Sequence, residues 1–314
     1  MNQNMNQAYV DTVRLLLAIA PSVFESQNFA LKGGTALNLF VQDMPRLSVD
    51  IDVVFTDHTL ERDAALEAIS MALAQSQAAL EARGYRATPL RTRLGDEVKL
   101  VVEDDLAQVK VEVNFVFRGT VMPVVQMHLA PAARELFTTG LTLPLLDTAE
   151  LYGSKLVAAM DRQHPRDIFD VVQMLARFGW QNSFVDCFVA YLAGHNRPVH
   201  EVLFPTRQPL ESTFLSEFQG MTRDELPLAL LEKAQQDLIN QLPRHLTPNH
   251  REFLLSLVRA EPVWELMPFE HLRALPALKW KLLNLKKLQS SNAKRFAAQH
   301  SELQARFHDL DATA

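Results

Sequence analysis

Residues 46 to 55 read Arg-Leu-Ser-Val-Asp-Ile-Asp-Val-Val-Phe, a predicted strand in which two carboxylates alternate with apolar residues. Residues two apart in a strand share a face, so Asp50 and Asp52 should project together while Ile51 and Val53 enter the core. Two adjacent carboxylates repel each other, and Mg²⁺ relieves that repulsion while keeping positions open for phosphate and water. The pattern predicts a metal site; the alternative is a strand with a solvated acidic face.

A paired-glycine turn lies shortly before this strand. The short apolar run Phe29-Ala-Leu31 is followed by Lys32-Gly33-Gly34-Thr35, which predicts a strand, a tight turn and then a helix. Paired glycines let the backbone approach a ligand closely, and free N–H groups at the start of a helix attract anions. The turn is therefore predicted to bind phosphate, although Thr35 could equally serve only as an N-cap.

A third acidic position follows from the alternation in residues 108 to 116, Gln-Val-Lys-Val-Glu-Val-Asn-Phe-Val. The apolar residues face one way, and Lys110, Glu112 and Asn114 face the other. Residues 97 to 102, Glu-Val-Lys-Leu-Val-Val, are separated from this strand by the polar turn at 103 to 105, which predicts an antiparallel hairpin. Glu112 could then stand beside the two aspartates, the alternative being an exposed strand glutamate.

A fourth block, residues 151 to 170, combines a lysine with two acids. The pattern from Thr148 to Met160 is helical, with Lys155 near its middle, and a new helix is predicted to begin after Pro165. Lysine suits phosphate as a point charge, although a single helical lysine is usually solvated. Asp167 and Asp170 could instead pair with Arg162 or Arg166 as helix-start electrostatics.

Together these blocks resemble the nucleotidyltransferase superfamily typified by DNA polymerase β. Lys-Gly-Gly-Thr-Ala-Leu at 32 to 37, Arg-x-Ser-x-Asp-Ile-Asp at 46 to 52 and the fourth block narrow the match. They are similar to motifs of the AbiEii toxin family of type IV toxin–antitoxin systems. The resemblance covers about the first 180 residues, and residues 276 to 281 more loosely resemble the tail of longer members.

The resemblance implies an α/β fold: a polymerase β-like core, with a mixed sheet and flanking helices, followed by an all-helical C-terminal domain. Beyond Gly179 no run of alternating strands is seen, whereas residues 227 to 242 and 250 to 257 have helical periodicity. Pro198, Pro205 and Pro209 suggest a linker region. The predicted domains are 1–180, catalytic, and 181–314, helical, a candidate surface for tRNA or antitoxin.

The resemblance also implies an activity: transfer of a nucleoside monophosphate from an NTP to an acceptor, most simply the tRNA 3′ end, with loss of translation. Mg²⁺, or Mn²⁺ in its place, would be the cofactor, and an antitoxin the partner. Nucleotide transfer to a protein hydroxyl and a noncatalytic nucleotide-binding regulator are the alternatives. The resemblance implies that Asp50, Asp52 and Glu112 are the metal ligands. The catalytic residues would be these three together with Lys155 and Asp167, and Asp170 is the alternative to Asp167. The nucleotide-binding residues would be Lys32, Gly33, Gly34, Thr35, Arg46, Ser48, Arg166 and Asp170.

Composition and charge bound the remaining properties. No apolar run is long enough for a membrane span and no signal-peptide pattern is present, so a cytoplasmic protein is expected. The single cysteine, Cys187, is expected to be a packing residue. A net charge of −6 does not suggest a general nucleic-acid binder, but residues 271 to 308 carry a net +7, a candidate RNA surface. Within it Trp280 is expected to pack in the core rather than stack on a base.

Overall fold

The computed structural model describes residues 5–91, 98–114 and 117–312. Within these ranges the chain forms one mixed sheet and many helices. The predicted strand residues Glu97, Phe115 and Val116 lie outside the described residues.

Seven strands form a single sheet in the order β3-β4-β5-β2-β1-β7-β6. The central strand β2 pairs antiparallel with β1 and parallel with β5, and β4 and β5 form the expected antiparallel hairpin. The prediction of a mixed sheet is confirmed. The strands are β1 Phe29–Lys32, β2 Asp50–Phe55, β3 Arg86–Arg91, β4 Val98–Glu103, β5 Gln108–Asn114, β6 Val125–His128 and β7 Thr142–Leu145.

Alternation along β2 and β5 sets which face of the sheet each side chain occupies. Ile51 and Val53 are fully buried, as are Val109 and Val111 on the neighbouring strand. Asp50, Asp52 and Glu112 are half-buried on the opposite face. Burial of the apolar residues fixes the register, because a slip by one residue would send every one of these side chains to the wrong face.

The helices predicted from Thr148, after Pro165, and in residues 227–242 and 250–257 are present and begin and end close to the predicted positions. The lysine-bearing helix α5 was expected from Thr148 and ends at Asp161, and the next helix begins at Pro165. After α2 the chain continues as a π-helical turn, Leu37–Val41. The helices are α1 Gln7–Val23, α2 Gly33–Ala36, α3 Arg62–Ala82, α4 Pro131–Phe137, α5 Thr148–Asp161, α6 Pro165–Phe178, α7 Asn182–Ala193, α8 Val199–Leu203, α9 Glu211–Glu217, α10 Leu228–Gln241, α11 Pro248–Val258, α12 Pro276–Ser291 and α13 Ala293–Ala312.

The chain divides into two compact units. The first contains residues 1–151 and 215–226, and the second residues 152–214 and 227–314. The segment 215–226 belongs to the first unit because its backbone pairs there: the Leu47 amide donates to the Met221 carbonyl at 2.8 Å, and Arg46 and Thr222 form a β-bridge. The expected domains 1–180 and 181–314 stay a prediction; the compact units divide the chain earlier, within α5.

The second unit is helical and contains buried polar anchors as well as an apolar core. Gln235 on α10 is fully buried and donates to Gln163 at 2.7 Å. Lys281 on α12 is also buried, and its ammonium donates to the carbonyls of His195 and Arg197 at 2.8 and 2.6 Å. Burial lowers the pKa of Lys281 to about 8. Lys281, counted in the basic segment, therefore holds the loop after α7 instead of facing solvent, and Cys187 is a buried packing residue, as expected.

None of the helices in the described ranges combines the length and the apolar character that a membrane crossing requires.

Candidate active site

The carboxylate pair lies at the centre of a charged row that runs across four strands. In the pairing register Asp52 lies opposite Lys32 on β1 and Glu112 on β5, and Glu112 lies opposite Lys99 on β4. Side chains opposite each other in register share a face of the sheet. We call this set the carboxylate row; in order it consists of Lys32, Asp52, Glu112 and Lys99, so that two negative charges lie between two positive ones. Asp50 lies on the same face, two residues before Asp52.

Glu112 stands beside Asp52, as expected, but it is paired with a lysine. Its Oε1 accepts from Lys99 Nζ at 3.0 Å. Among the described residues no group of three His, Cys, Asp or Glu side chains is arranged to hold a metal ion. Glu112 as a third metal ligand stays a prediction; with Oε1 paired to Lys99, Oε2 would be the oxygen that binds the cation. Sequence reasoning missed Lys99, although the turn at 103–105 fixes a register that pairs the two residues.

Lys99→Met is expected to strengthen divalent-cation binding by about five-fold, because it frees Glu112 and removes a positive charge from the row. The effect is modest because the pair is partly solvated, with 28% of the Lys99 and 39% of the Glu112 side chain exposed. Electron paramagnetic resonance of free Mn²⁺ measures the affinity without any reaction. Lys233→Met, which removes the charge of an exposed lysine on α10, is the control and should leave the affinity unchanged. Unchanged affinity in Lys99→Met would mean that Glu112 takes no part in the cation site.

The first glycine of the turn lies directly against Asp52, one member of the carboxylate pair. Gly33 has a φ of +73°, and a Cβ placed there would lie 2.1 Å from Asp52 Oδ2. Any side chain at this position would be strained and would push the carboxylate away. A Cβ on Gly34 would lie 2.8 Å from both Arg46 Nη2 and Ser48 Oγ. The structure therefore brings together four of the residues predicted for nucleotide binding: Gly33, Gly34, Arg46 and Ser48.

Two buried side chains hold the turn against β2. The Thr35 hydroxyl donates to the Asp50 carbonyl at 2.5 Å, and the Asn38 amide donates to the Gly34 carbonyl at 3.0 Å. The alternative reading of Thr35 as an N-cap is wrong, because α2 begins at Gly33 and Thr35 lies inside it. Asn38 was missed, since an asparagine four residues after a glycine carries no sequence signal of its own.

Arg46 is almost completely buried. Only 2% of the residue is exposed, and its Nη1 donates to the Leu47 carbonyl at 2.9 Å. The residue therefore shapes the segment that leads into β2. Its predicted contact with a nucleotide stays a prediction.

Gly33→Ala is expected to reduce catalytic activity by about 100-fold, because the new methyl group displaces a carboxylate on which the site depends. It should also cost about 1–2 kcal/mol of stability, since alanine is strained at positive φ. Transfer rates and urea unfolding measure the two effects. Gly179→Ala is the matched control: its φ is +64°, and among the described residues nothing lies within 4 Å of the added Cβ. If both variants lost activity equally, backbone strain alone would explain the result.

The donor set at the carboxylate row suits a hard divalent cation. Asp50 and Asp52 supply carboxylate oxygens on one face, and the missing side chain at Gly33 leaves Asp52 room for its present position. Carboxylate oxygens, which Asp50, Asp52 and the neighbouring Glu112 supply, favour Mg²⁺ or Mn²⁺ over zinc.

A second cluster of charged residues lies in the helical unit. Lys155 on α5 is only 6% exposed, and its ammonium lies 2.8 Å from Asp167 Oδ1 and 3.0 Å from Asp170 Oδ2 on α6. Arg162 donates to both oxygens of Asp167, at 2.5 and 3.0 Å. Burial opposes ionisation of Asp167, but the charges of Lys155 and Arg162 outweigh it and hold the pKa of that carboxyl well below its usual range.

Both acids of this cluster pair with Lys155, and Asp167 also pairs with Arg162, which is the structural pairing considered from the sequence. The choice between Asp167 and Asp170 as the essential acid stays a prediction. Arg166 is half-buried near the start of α6, where its amide donates to the Nδ1 of the N-cap His164 at 3.0 Å. The catalytic roles of Lys155 and Asp167, and nucleotide contacts by Arg166, Asp170 and Lys32, stay predictions.

The sequence model of one protein family, described as "Nucleotidyl transferase AbiEii toxin, Type IV TA system", matches residues 14–282. This chain belongs to the AbiEii family. It is accordingly a nucleotidyltransferase, a toxin of a type IV toxin–antitoxin system, and the family implies an antitoxin partner. The resemblance seen in the motifs is confirmed.

The AbiEii fold is also found in a solved structure that this chain resembles. MenT4, the nucleotidyltransferase toxin Rv2826c from Mycobacterium tuberculosis H37Rv, aligns with a TM-score of 0.58 and 18% sequence identity, over 88% of this chain and 92% of that one. At this identity the likeness concerns the fold. Comparison with curated protein sequences gives no match.

Proposed function

We propose that this AbiEii-family chain transfers a nucleoside monophosphate from an NTP to the 3′ end of tRNA, releases pyrophosphate and so blocks translation. The observation that carries the proposal is the carboxylate pair of β2, held against a glycine turn that tolerates no side chain. Paired carboxylates can bind a divalent cation, and a glycine turn beside them lets the backbone come close to the phosphates that the cation holds. The reaction would take place in the cytoplasm, where its substrates are found.

Asp50 and Asp52 would hold Mg²⁺, or Mn²⁺ in its place. When bound, the cation supplies positive charge for the triphosphate and lowers the pKa of the attacking hydroxyl. The Thr35 hydroxyl holds the main-chain carbonyl of Asp50, and the absence of a side chain at Gly33 leaves space for the Asp52 carboxylate. Gly34 and Ser48 would bind phosphate oxygens, and Lys32, the cation opposite Asp52 in the carboxylate row, would supply a further positive charge.

Lys155 and Asp167 enter the proposal through the family motif. The ion pairs to Asp167 and Asp170 hold the Lys155 ammonium in one place, which makes it a fixed charge. Asp167 would then act through the lysine that it positions. Because Arg162 also pairs with Asp167, the two carboxylates do not fully neutralise the positive charge of Lys155.

The test incubates the purified chain with total tRNA, Mg²⁺ and each α-³²P-labelled NTP in turn, beside the Asp50→Ala variant. Label on tRNA that disappears in the variant supports the proposal and identifies the nucleotide. Label on protein would replace tRNA with a protein hydroxyl as acceptor. No label on either acceptor would favour a noncatalytic nucleotide-binding role or an acceptor that is missing from the assay.

A further inference from the structure

Helix α12 exposes a large aromatic residue among lysines. Trp280 is 57% exposed and Leu283 is 60% exposed. The expectation that Trp280 packs in the core is wrong: the helix buries Ala277, Leu278 and Leu285 instead, and Trp280 lies on the opposite side. Burial of those three residues decides the orientation, because they already complete the apolar stripe of the helix.

Lysines surround the two exposed apolar residues. Lys279, Lys286 and Lys287 are all exposed, and their spacing from Trp280 and Leu283 follows the helical repeat. We call these five residues the α12 outer face. Helix α12 contains no acidic residue, and within the described ranges no ion pair is found at these three lysines. In a chain with a net charge of −6, this is a concentrated positive surface.

Further exposed cations follow in the next helix. Lys294 and Arg295 are exposed in the first turn of α13, which begins two residues after the end of α12. Lys281, by contrast, is buried and is not part of the surface. The α12 outer face therefore combines three exposed lysines with a flat aromatic ring near the start of the helix.

We propose that the α12 outer face binds a single-stranded segment of an RNA, with Trp280 stacked on a base and the flanking lysines on phosphates. The inference rests on the proposed function, whose acceptor is an RNA. An exposed ring beside unpaired cations is the combination that binds single strands, where bases are free to stack. A stable protein interface would need roughly 1,000 Å² with an apolar centre, which Trp280 and Leu283 alone do not supply.

The test measures binding of a fluorescent single-stranded RNA oligonucleotide by anisotropy, in an Asp52→Asn background without NTP or Mg²⁺, so that no reaction is needed. Trp280→Ala is expected to weaken binding about ten-fold, and Trp280→Phe to restore most of it, because a smaller ring still stacks. Changing Lys279, Lys286 and Lys287 to Gln should reduce the slope of log affinity against log salt by about 2. Lys233→Gln, an exposed lysine of α10, is the control and should change neither value.

RNA binding that is unchanged in both Trp280→Ala and the triple lysine variant would overturn the inference. So would variants that lose self-association or antitoxin binding while still binding RNA normally, since the face would then dock a protein. Neither result bears on the labelled-NTP experiment, which tests the proposed function. If RNA binding depends on Trp280 but tRNA takes up no label, the α12 outer face binds RNA and the proposed transfer to tRNA is wrong.

Discussion

Asp52→Asn is expected to reduce nucleotidyl transfer by on the order of 10³-fold, because it removes one of the two charges that hold the cation. Asparagine keeps the shape of the side chain that Gly33 accommodates, so the fold should persist. Initial rates with labelled NTP, together with a thermal melt, separate loss of chemistry from loss of structure. Mn²⁺ affinity, measured without substrate, should fall in parallel.

The matched control for this change is Asp63→Asn on α3. The Asp63 side chain is 97% exposed, so loss of its charge should leave both activity and Mn²⁺ affinity unchanged. If Asp52→Asn retained transfer within ten-fold of the natural chain, the carboxylate pair would not be the cation site. The strand would then be better described by the alternative of a solvated acidic face.

Lys155→Met is expected to lower the free energy of unfolding by about 3–5 kcal/mol, because it removes the ammonium that the buried carboxylates of Asp167 and Asp170 share. Arg162 still pairs with Asp167 in this variant. Urea unfolding followed by circular dichroism measures the change. Lys233→Met, an exposed lysine, should shift stability by no more than about 0.5 kcal/mol.

The pH dependence follows from the lowered pKa of Asp167. A carboxyl whose pKa is depressed in the folded state contributes stability above its unfolded pKa, near 4, and loses that contribution as the pH falls below it. The stability difference between the natural chain and Lys155→Met should therefore be constant near neutral pH and shrink below about pH 4.

Activity separates a positioning role from a purely structural one. Arg162→Met removes a cation that is 61% exposed, so it should cost little stability. If Lys155→Met unfolds the chain, Arg162→Met still reports whether the cluster affects kcat or KM. Full stability of Lys155→Met would contradict the buried-pair argument, and a simultaneous loss of transfer would then make the lysine catalytic in its own right.

The local fold was predictable because it follows from alternation and from turn chemistry. Apolar residues at every second position of β2 and β5 placed the acids on one face, and the polar turn at 103–105 gave the hairpin. The helix beginning at Thr148 and the break at Pro165 followed from periodicity and from the chemistry of proline. The family motifs lie in these same segments, which is why the sequence also identified the family.

The sequence by itself determined strands β1, β2, β4 and β5, the faces of β2 and β5, and the positions of Asp50, Asp52, Gly33 and Lys155, whereas β3, β6 and β7 were not predicted. Only the tertiary structure decided which partners the charged groups have: Lys99 pairs with Glu112, and Asp167 and Asp170 pair with Lys155. It also decided that Trp280 is exposed. Periodicity says which side of an element a residue faces. Partners come from strand register and helix packing, which bring residues from distant parts of the chain into contact and so set charge, burial and pKa.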